Sequence, residues 1–168
     1  MFLTRNPILA KNFLETAQDY KSGAGVVFLG KVRNHSGAGS TGFRHARENL
    51  RFSSSQARRV LYLEYEAYES MAEPMMEGLV REAHARWPLE EIKIAHRIGR
   101  VNLGEIAVAI QVNSAHRDEA YQASRFLIEE IKHQVPIWKK EYFEDGTSAW
   151  GSCAPWMSVA RKGALSPC

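Results

Sequence analysis

Two amphipathic helical segments that flank a predicted β-hairpin constrain the fold more than any other feature of the sequence. Each segment repeats apolar residues at helical spacing and ends near a proline, Pro88 or Pro136, which interrupts helical structure. Between the segments, residues 92–100 and 106–112 are rich in β-branched residues and are joined by a turn sequence at 102–105. The apolar faces consist of Met71, Met75, Leu79 and Ala83 in the first helix, and of Ala120, Ala123, Leu127, Ile128 and Ile131 in the second.

Shorter patterns complete the predicted order of elements. An Asn-Pro pair predicts a helix over residues 6–20. Residues 26–33 and 61–67 are predicted strands, the second with its odd-numbered residues facing away from water, and residues 137–143 form a short extended segment. Ser114 is the predicted N-cap of the second long helix. Helices and strands do not alternate strictly, so the sequence predicts an α+β fold.

The length and composition are those of one globular domain. The chain has 168 residues, of which 45% are hydrophobic and 24% charged. No apolar run approaches the roughly 18 residues that a membrane span requires, and the first residues lack a signal-peptide pattern. We expect a single domain over residues 1–150 with a long inserted loop at 36–59, followed by a polar tail at 151–168. Cys153 and Cys168 form no disulfide framework, so reduced thiols in a cytoplasmic protein are expected.

The inserted loop carries much of the uneven basic charge of the chain. The formal net charge of +3 is too small to indicate a partner. Residues 43–59, however, contain five arginines and the single acid Glu48, interleaved with Phe43 and Phe52. Such a stretch could bind nucleic acid. A solvated loop is favoured, because the segment is also rich in glycine and serine and no nucleic-acid module surrounds it.

Familiar catalytic motifs are missing, and basic clusters remain. No two of the six histidines are close enough for a local zinc signature, and neither a Gly-x-Ser-x-Gly elbow nor a phosphate loop occurs. Basic clusters lie at residues 30–35, at 113–117, and at Lys132 with Lys139 and Lys140. Each could be ordinary solvated surface. Together they suit an anionic substrate, with a lysine assisting proton transfer while another molecule supplies the nucleophile.

Five phrases of the sequence occur in an order that is typical of one protein family. They are Gly25-Val26-Val27-Phe28-x-Gly30-x-Val32-Arg33; Leu63-x-Tyr65-x-Ala67-Tyr68; His96-Arg97-Ile98-Gly99 followed by Gly104-Glu105; Ser114-x-His116-Arg117-x3-Tyr121-x-Ala123; and Lys132-x3-Pro136-Ile137-Trp138-Lys139-Lys140-Glu141. The last phrase is the most specific. Over residues 24–150 the chain resembles the large, catalytic subunit of molybdopterin synthase, an enzyme of molybdenum cofactor biosynthesis.

The resemblance implies a fold, a reaction and partners. The implied fold is an α/β-hammerhead with additional antiparallel β-structure, working as a homodimer at the centre of a heterotetramer. The small subunit is similar to ubiquitin and carries sulfur as a C-terminal Gly-Gly thiocarboxylate. Two sulfur transfers convert cyclic pyranopterin monophosphate to molybdopterin. The family needs no cofactor or metal for this step, and the partner supplies the nucleophile that the chain lacks.

The resemblance also assigns roles to individual residues. Lys132 is the implied principal catalytic lysine and Lys139 the second. The implied substrate-binding residues are Lys31, Val32, Arg33, His116, Arg117, Lys140 and Glu141. Two departures from the family pattern are the longer loop at 36–59 and the tail, which differs from Gly151 onward.

Two other functions remain open at this stage. The chain could be a non-catalytic adaptor that binds a ubiquitin-like partner, although its three intact basic clusters argue against lost catalysis. It could also bind nucleic acid through the arginine-rich loop, which a steep dependence of binding on salt would reveal.

Overall fold

Two β-sheets and three helices are formed by the residues that the computed structural model describes, 1–14, 20–36 and 58–151. The strands are β1 (Leu3–Thr4), β2 (Ala24–Lys31), β3 (His35–Ser36), β4 (Arg58–Ala67), β5 (Leu89–Arg97), β6 (Gly99–Asn102), β7 (Ile106–Ser114), β8 (Ile137–Phe143) and β9 (Ser148–Trp150). The helices are α1 (Lys11–Leu14), α2 (Glu69–Arg86) and α3 (Arg117–Gln134). The predicted α+β class is confirmed.

The first sheet forms the main core. Its strand order is β1-β5-β7-β2, antiparallel except for the parallel pair β1 and β5. The central strand β7 is buried along its whole length. Its alternate residues Val108, Ile110 and Val112 pack with the apolar faces of α2 and α3, while Ala109 packs with Phe13 of α1 in a separate cluster. Amphipathic helices on an antiparallel sheet account for this arrangement.

The second sheet contains β8, the strand that carries Lys139, Lys140 and Glu141. Its order is β3-β4-β8-β9, and β6 pairs with β4 beside this path. Val32 and Ala107, which come from the region of the first sheet, pack with Val60, Leu63 and Phe143 in one apolar cluster. The two sheets therefore share a small core.

The predicted loop at 36–59 and the strand after it need correction. β4 begins at Arg58, inside the predicted loop, and residues 37–57 lie outside the described part of the chain. Leu61 is 47% exposed, although it was expected on the dry face. The pairing of β4 with β8 shifts register between Val60 and Tyr62, and such a bulge moves one residue off the alternating pattern.

The predicted strand at 92–100 is two strands. β5 ends at Arg97, and β6 begins at Gly99, where the backbone has a φ of 77°. Glycine tolerates this left-handed conformation, which other residues adopt only at a cost. The chain turns there, leaves the first sheet and joins the second, with Gly99 opposite Tyr65.

The helix predictions are partly wrong in their details. α1 begins at Lys11, after β1, where the predicted helix began at residue 6; residues 15–19 lie outside the described part. In α2, Leu79 is buried as predicted, but the buried methionine of the first turns is Met76, and Met71 is 49% exposed. His116, not Ser114, is the N-cap of α3, because β7 extends through Ser114.

No helix of the described segments has the length and apolar content needed to cross a membrane. The division into a domain at 1–150 and a tail at 151–168 stays a prediction, since residues 152–168 lie outside the described part.

Candidate active site

The junction between α3 and β8 fixes the two predicted catalytic lysines. α3 ends at Gln134, and the Val135 N–H donates to the Ile131 carbonyl at 3.2 Å. The next residue, Pro136, accepts a hydrogen bond from the Tyr68 backbone N–H at 3.1 Å, which ties the junction to the end of β4. Lys132 is exposed in the last turn of α3, above the buried Ile131. Its position at the border of the buried face agrees with the sequence pattern.

A buried histidine lies within electrostatic reach of Lys132. His96, near the end of β5, is 7% exposed, and its ring meets the Tyr65 ring edge-on at a centroid distance of 5.2 Å. Its Nδ1 is 2.8 Å from the Arg97 carbonyl oxygen, which can only accept, so Nδ1 carries the proton. Burial lowers the pKa of His96 to about 4; the hydrogen bond to Arg97 opposes this and the Lys132 charge adds to it. The imidazole is therefore neutral near pH 7.

Lys139 is held by a carboxylate on its own strand. Its Nζ lies 2.7 Å from Oε1 of Glu141, whose side chain is 13% exposed. Burial works to raise the pKa of Glu141, but hydrogen bonds from Lys139 and Ser36 and the charges of Lys139 and Arg33 leave that pKa below its ordinary value. Tyr65 lies opposite Lys139 on β4, and its burial and the Glu141 charge raise the pKa of its phenol to about 12. The phenol remains protonated and the carboxyl ionised.

The predicted substrate-binding residues at the end of β2 and just after it differ in exposure. Lys31 and Arg33 are exposed, whereas the Val32 side chain is 3% exposed and packs in the core that the two sheets share. The Val32 N–H donates to the Glu105 carbonyl at 3.0 Å, and its carbonyl accepts from the Gly104 N–H at 2.8 Å. Val32 thus anchors the backbone between two exposed cations. Its predicted contact with substrate stays a prediction.

Lys140 lies on the other face of β8 from Lys139 and Glu141, because side chains alternate along a strand. Its Nζ is 5.2 Å from the Tyr142 ring centroid and 5.5 Å from that of Trp150. These are cation–π distances. The structure therefore does not bring Lys140 together with the other lysines, and its predicted substrate contact also stays a prediction.

His116 and Arg117 are exposed at the opposite end of α3. Arg117 precedes Lys132 by fifteen residues, which at a rise of about 1.5 Å per residue separates them by roughly 22 Å along the axis. One chain does not bring these two predicted substrate-binding residues to the lysines.

The arginines of the predicted loop that the structure describes are paired. Arg58 forms an ion pair with Asp145 at 3.2 Å and lies over the Phe143 ring, and Arg59 lies 3.7 Å from a carboxylate oxygen of Glu144. These two side chains attach β4 to the turn between β8 and β9, which does not favour a nucleic-acid role for them. The other arginines of the loop lie outside the described residues.

Sequence reasoning missed three residues that lie around Lys132, Lys139 and Glu141: His96, Tyr65 and Ser36. His96 and Tyr65 stand in the quoted family phrases, but neither was assigned a role. A signal was present for Tyr65, since a polar aromatic residue on the dry face of a strand needs a partner. Nothing in the sequence near Ser36 points to Glu141, because their contact depends on the pairing of separate strands.

The arrangement suits proton transfer next to a bound anion. Among the described residues, Lys139 is paired with a carboxylate whereas Lys132 forms no ion pair. Arg33 is exposed and its charge reaches Glu141, and Lys31 is exposed two residues before it. Within the same residues, no three His, Cys, Asp or Glu side chains come together as metal ligands would.

Fold and site together define a class of protein: an α+β domain in which a long helix and the strand that follows it carry two lysines, one beside a buried histidine and one bonded to a carboxylate. Comparisons with known proteins identify the family. The family model described as MoaE protein matches residues 3–134. The molybdopterin synthase catalytic subunit of Halalkalibacterium halodurans is 46% identical over 115 residues, which are 68% of this chain and 70% of that protein. The Bacillus subtilis protein of the same name is 38% identical over 144 residues, 86% of this chain and 80% of its own.

Structural similarity agrees with the sequence matches. The crystal structure of molybdopterin synthase from Staphylococcus aureus superimposes with a TM-score of 0.71 at 36% identity, covering 90% of this chain and 96% of that one. The chain belongs to the MoaE family. The resemblance found in its sequence phrases is confirmed.

Proposed function

We propose that this chain acts as the catalytic subunit of a molybdopterin synthase. In this proposal it binds cyclic pyranopterin monophosphate and assists the transfer of sulfur from the thiocarboxylate of a ubiquitin-like small subunit. The observation that carries the proposal is that the Lys132 charge acts on buried His96, whose ring packs against Tyr65, the residue opposite Lys139. The relatives of this chain bear that enzyme's name. The proposed cellular location of the protein is the cytoplasm, where reduced thiols are expected.

The two lysines suit different parts of the reaction. Lys132 has a neutral imidazole beside it and no carboxylate partner among the described residues, which suits a group that gives and takes a proton. Lys139 forms an ion pair with Glu141 that fixes its position, and a fixed positive charge stabilises the negative charge that develops on the thiocarboxylate oxygen. Arg33, exposed and within electrostatic reach of Glu141, is suited to hold the substrate phosphate.

The positions of His116 and Arg117 support a site completed by a second copy. These residues lie roughly 22 Å from Lys132 along α3, so in one chain they cannot contact the same small substrate as the lysines. A homodimer in which each α3 presents its first turn to the partner's lysines would bring both groups together. The small subunits then occupy the outside of a heterotetramer, as the family resemblance implies.

Reconstitution tests the proposal directly. The purified chain is mixed with a thiocarboxylated small subunit and the pterin monophosphate precursor, and molybdopterin is assayed. We expect product only when the small subunit carries sulfur, so the same subunit with an ordinary carboxylate is the control. Tight binding of the small subunit without any product would contradict the enzymatic role and favour the adaptor.

A further inference from the structure

We propose that Gly151 is a positioning residue that fixes the side chain of Lys139, an inference that rests on the proposed function of that lysine. Gly151 directly follows β9 and is the position from which the tail departs from the family pattern. The Gly151 N–H donates to the Lys139 carbonyl at 2.6 Å. The backbone of the last described residue is thereby held against the strand that carries Lys139.

The missing side chain of Gly151 makes room for Lys139. A Cβ atom built on Gly151 would lie 2.6 Å from Cε of Lys139, 3.2 Å from its carbonyl oxygen and 3.5 Å from Nζ. Non-bonded carbon atoms approach no closer than about 3.5 Å without repulsion. Any residue with a Cβ at this position therefore displaces the lysine stem from its present path.

That path determines where the ammonium lies. With its stem crossing Gly151, Lys139 places Nζ 2.7 Å from Oε1 of Glu141. The Glu141 carboxylate also accepts a hydrogen bond from Ser36 and interacts with the charge of Arg33. The lysine is thus confined between a glycine backbone on one side and a carboxylate on the other. Confinement of this kind reduces the rotamer freedom of a long side chain.

Contacts on the opposite face of the sheet hold Gly151 in place. In the register of β8 and β9, Lys140 lies opposite Trp150 and Glu141 opposite Ala149. The Lys140 ammonium lies 5.5 Å from the centroid of the Trp150 ring. This assigns Lys140 a role in anchoring the residue before Gly151.

A methyl group at Gly151 is expected to lower the rate of the proposed reaction more than the stability of the fold. Its closest contact is an atom near the end of a flexible side chain, which can rotate away. The 3.2 Å approach to the Lys139 carbonyl oxygen then requires the backbone to shift by only a few tenths of an ångström. Gly151→Ala is therefore expected to keep the melting temperature nearly unchanged while moving Nζ away from Glu141. A misplacement of about 1 Å in a catalytic group can lower the rate by roughly a hundredfold.

The test is single-turnover sulfur transfer at saturating precursor with Gly151→Ala. We expect a rate at least about tenfold below that of the unchanged chain, with little change in the affinity for precursor. The matched control is Gly78→Ala, since a Cβ at Gly78 would meet only Nη2 of Arg81, at 3.9 Å. In a Lys139→Ala background, Gly151→Ala should cause no further loss, because the two changes act on the same contact.

A second measurement does not depend on activity. Titration of the Glu141 carboxyl by NMR should show a higher pKa in Gly151→Ala, because the hydrogen bond and charge of Lys139 help to lower it. If the unchanged chain makes no molybdopterin, the proposed function fails while this titration still tests the contact. An unchanged rate together with an unchanged titration of Glu141 overturns the inference. So do additive losses of rate when Gly151→Ala is combined with Lys139→Ala. A collapse of the melting transition also overturns it, because the added methyl group would then displace the backbone and not the lysine side chain.

Discussion

The two ends of α3 carry similar charges in different surroundings. At the C-terminal end, Lys132 lies beside a buried histidine, and Lys139 is bonded to a largely buried carboxylate. At the N-terminal end, His116 and Arg117 are exposed, and neither forms an ion pair with any described residue. Among the described residues, the first end has a histidine and a carboxylate beside its lysines, whereas the second has no carboxylate partner for Arg117.

We infer from this difference that the two ends of α3 have different tasks in the proposed reaction. Groups that must have a defined protonation state are placed where burial and neighbouring charges set it, as at His96 and Glu141. Groups that only need to attract a phosphate can remain on the surface, where a helix N-terminus already favours anions. We therefore expect chemistry to depend on the first end and affinity on the second.

The largest expected effect is that of Lys132→Ala. Proton transfer by a positioned side chain contributes about 10²–10⁴-fold to a rate, so single-turnover sulfur transfer should fall by that factor. Binding of the small subunit should remain close to normal, because Lys132 is one exposed side chain. His133→Ala, the neighbouring exposed residue of α3, is the control. A Lys132→Ala rate within tenfold of the unchanged chain would remove the catalytic assignment.

Acid should weaken the folded protein through His96. Its pKa is about 4 when folded, against about 6.5 when unfolded. The unfolded chain therefore takes up a proton first as the pH falls, and this histidine's contribution to the free energy of unfolding is lost between pH 6.5 and 4, by about 3 kcal/mol. Urea unfolding at pH 7 and pH 5 spans the upper part of this range and should show a loss of about 2 kcal/mol. His96→Gln should flatten this dependence and His116→Gln should not; equal slopes for all three proteins would contradict the argument.

The elements of the fold that could be predicted are those with a clear periodicity of apolar residues in the sequence. The helices with long apolar faces and the paired strands around the 102–105 turn were found because burial imposes a period on the sequence. The break at Gly99 and the bulge near Leu61 were missed. Both are set by the pairing of β4 with two different strands, and a single-sequence pattern does not contain that pairing.

The candidate site was likewise predicted only in part. The family phrases identified Lys132, Lys139 and Glu141, and two of these three are joined in an ion pair in the structure. The neutral histidine beside Lys132 could not be predicted, because its state follows from burial by elements distant in sequence. The alternation of side chains along β8 could have placed Lys140 on the other face, since residues 137–143 were already expected to be extended.

Lys139→Ala is expected to cause a smaller loss than Lys132→Ala. Removing a hydrogen bond to a charged group costs roughly 1.5–3 kcal/mol, about a tenfold to hundredfold loss in sulfur transfer. The pKa of Glu141 should rise in the same variant, because the ammonium that helps to lower it is gone. Lys139→Arg keeps the charge and serves as the control. A loss as complete as that of Lys132→Ala would show that both lysines transfer protons.

The smallest expected effect also tests whether two chains share each site. Arg117→Ala should weaken precursor binding by about tenfold, as expected for one lost contact to an anion. Under precursor-limited conditions, neither Arg117→Ala nor Lys132→Ala alone turns over efficiently. If each site joins Lys132 of one chain to Arg117 of another, a mixed dimer of the two variants contains one intact site, so random re-pairing should restore roughly a quarter of the sites. The regained activity is measured after the two proteins are mixed and allowed to exchange subunits, with each variant incubated alone as the control. No recovery despite demonstrated exchange would mean that Arg117 does not complete the partner's site.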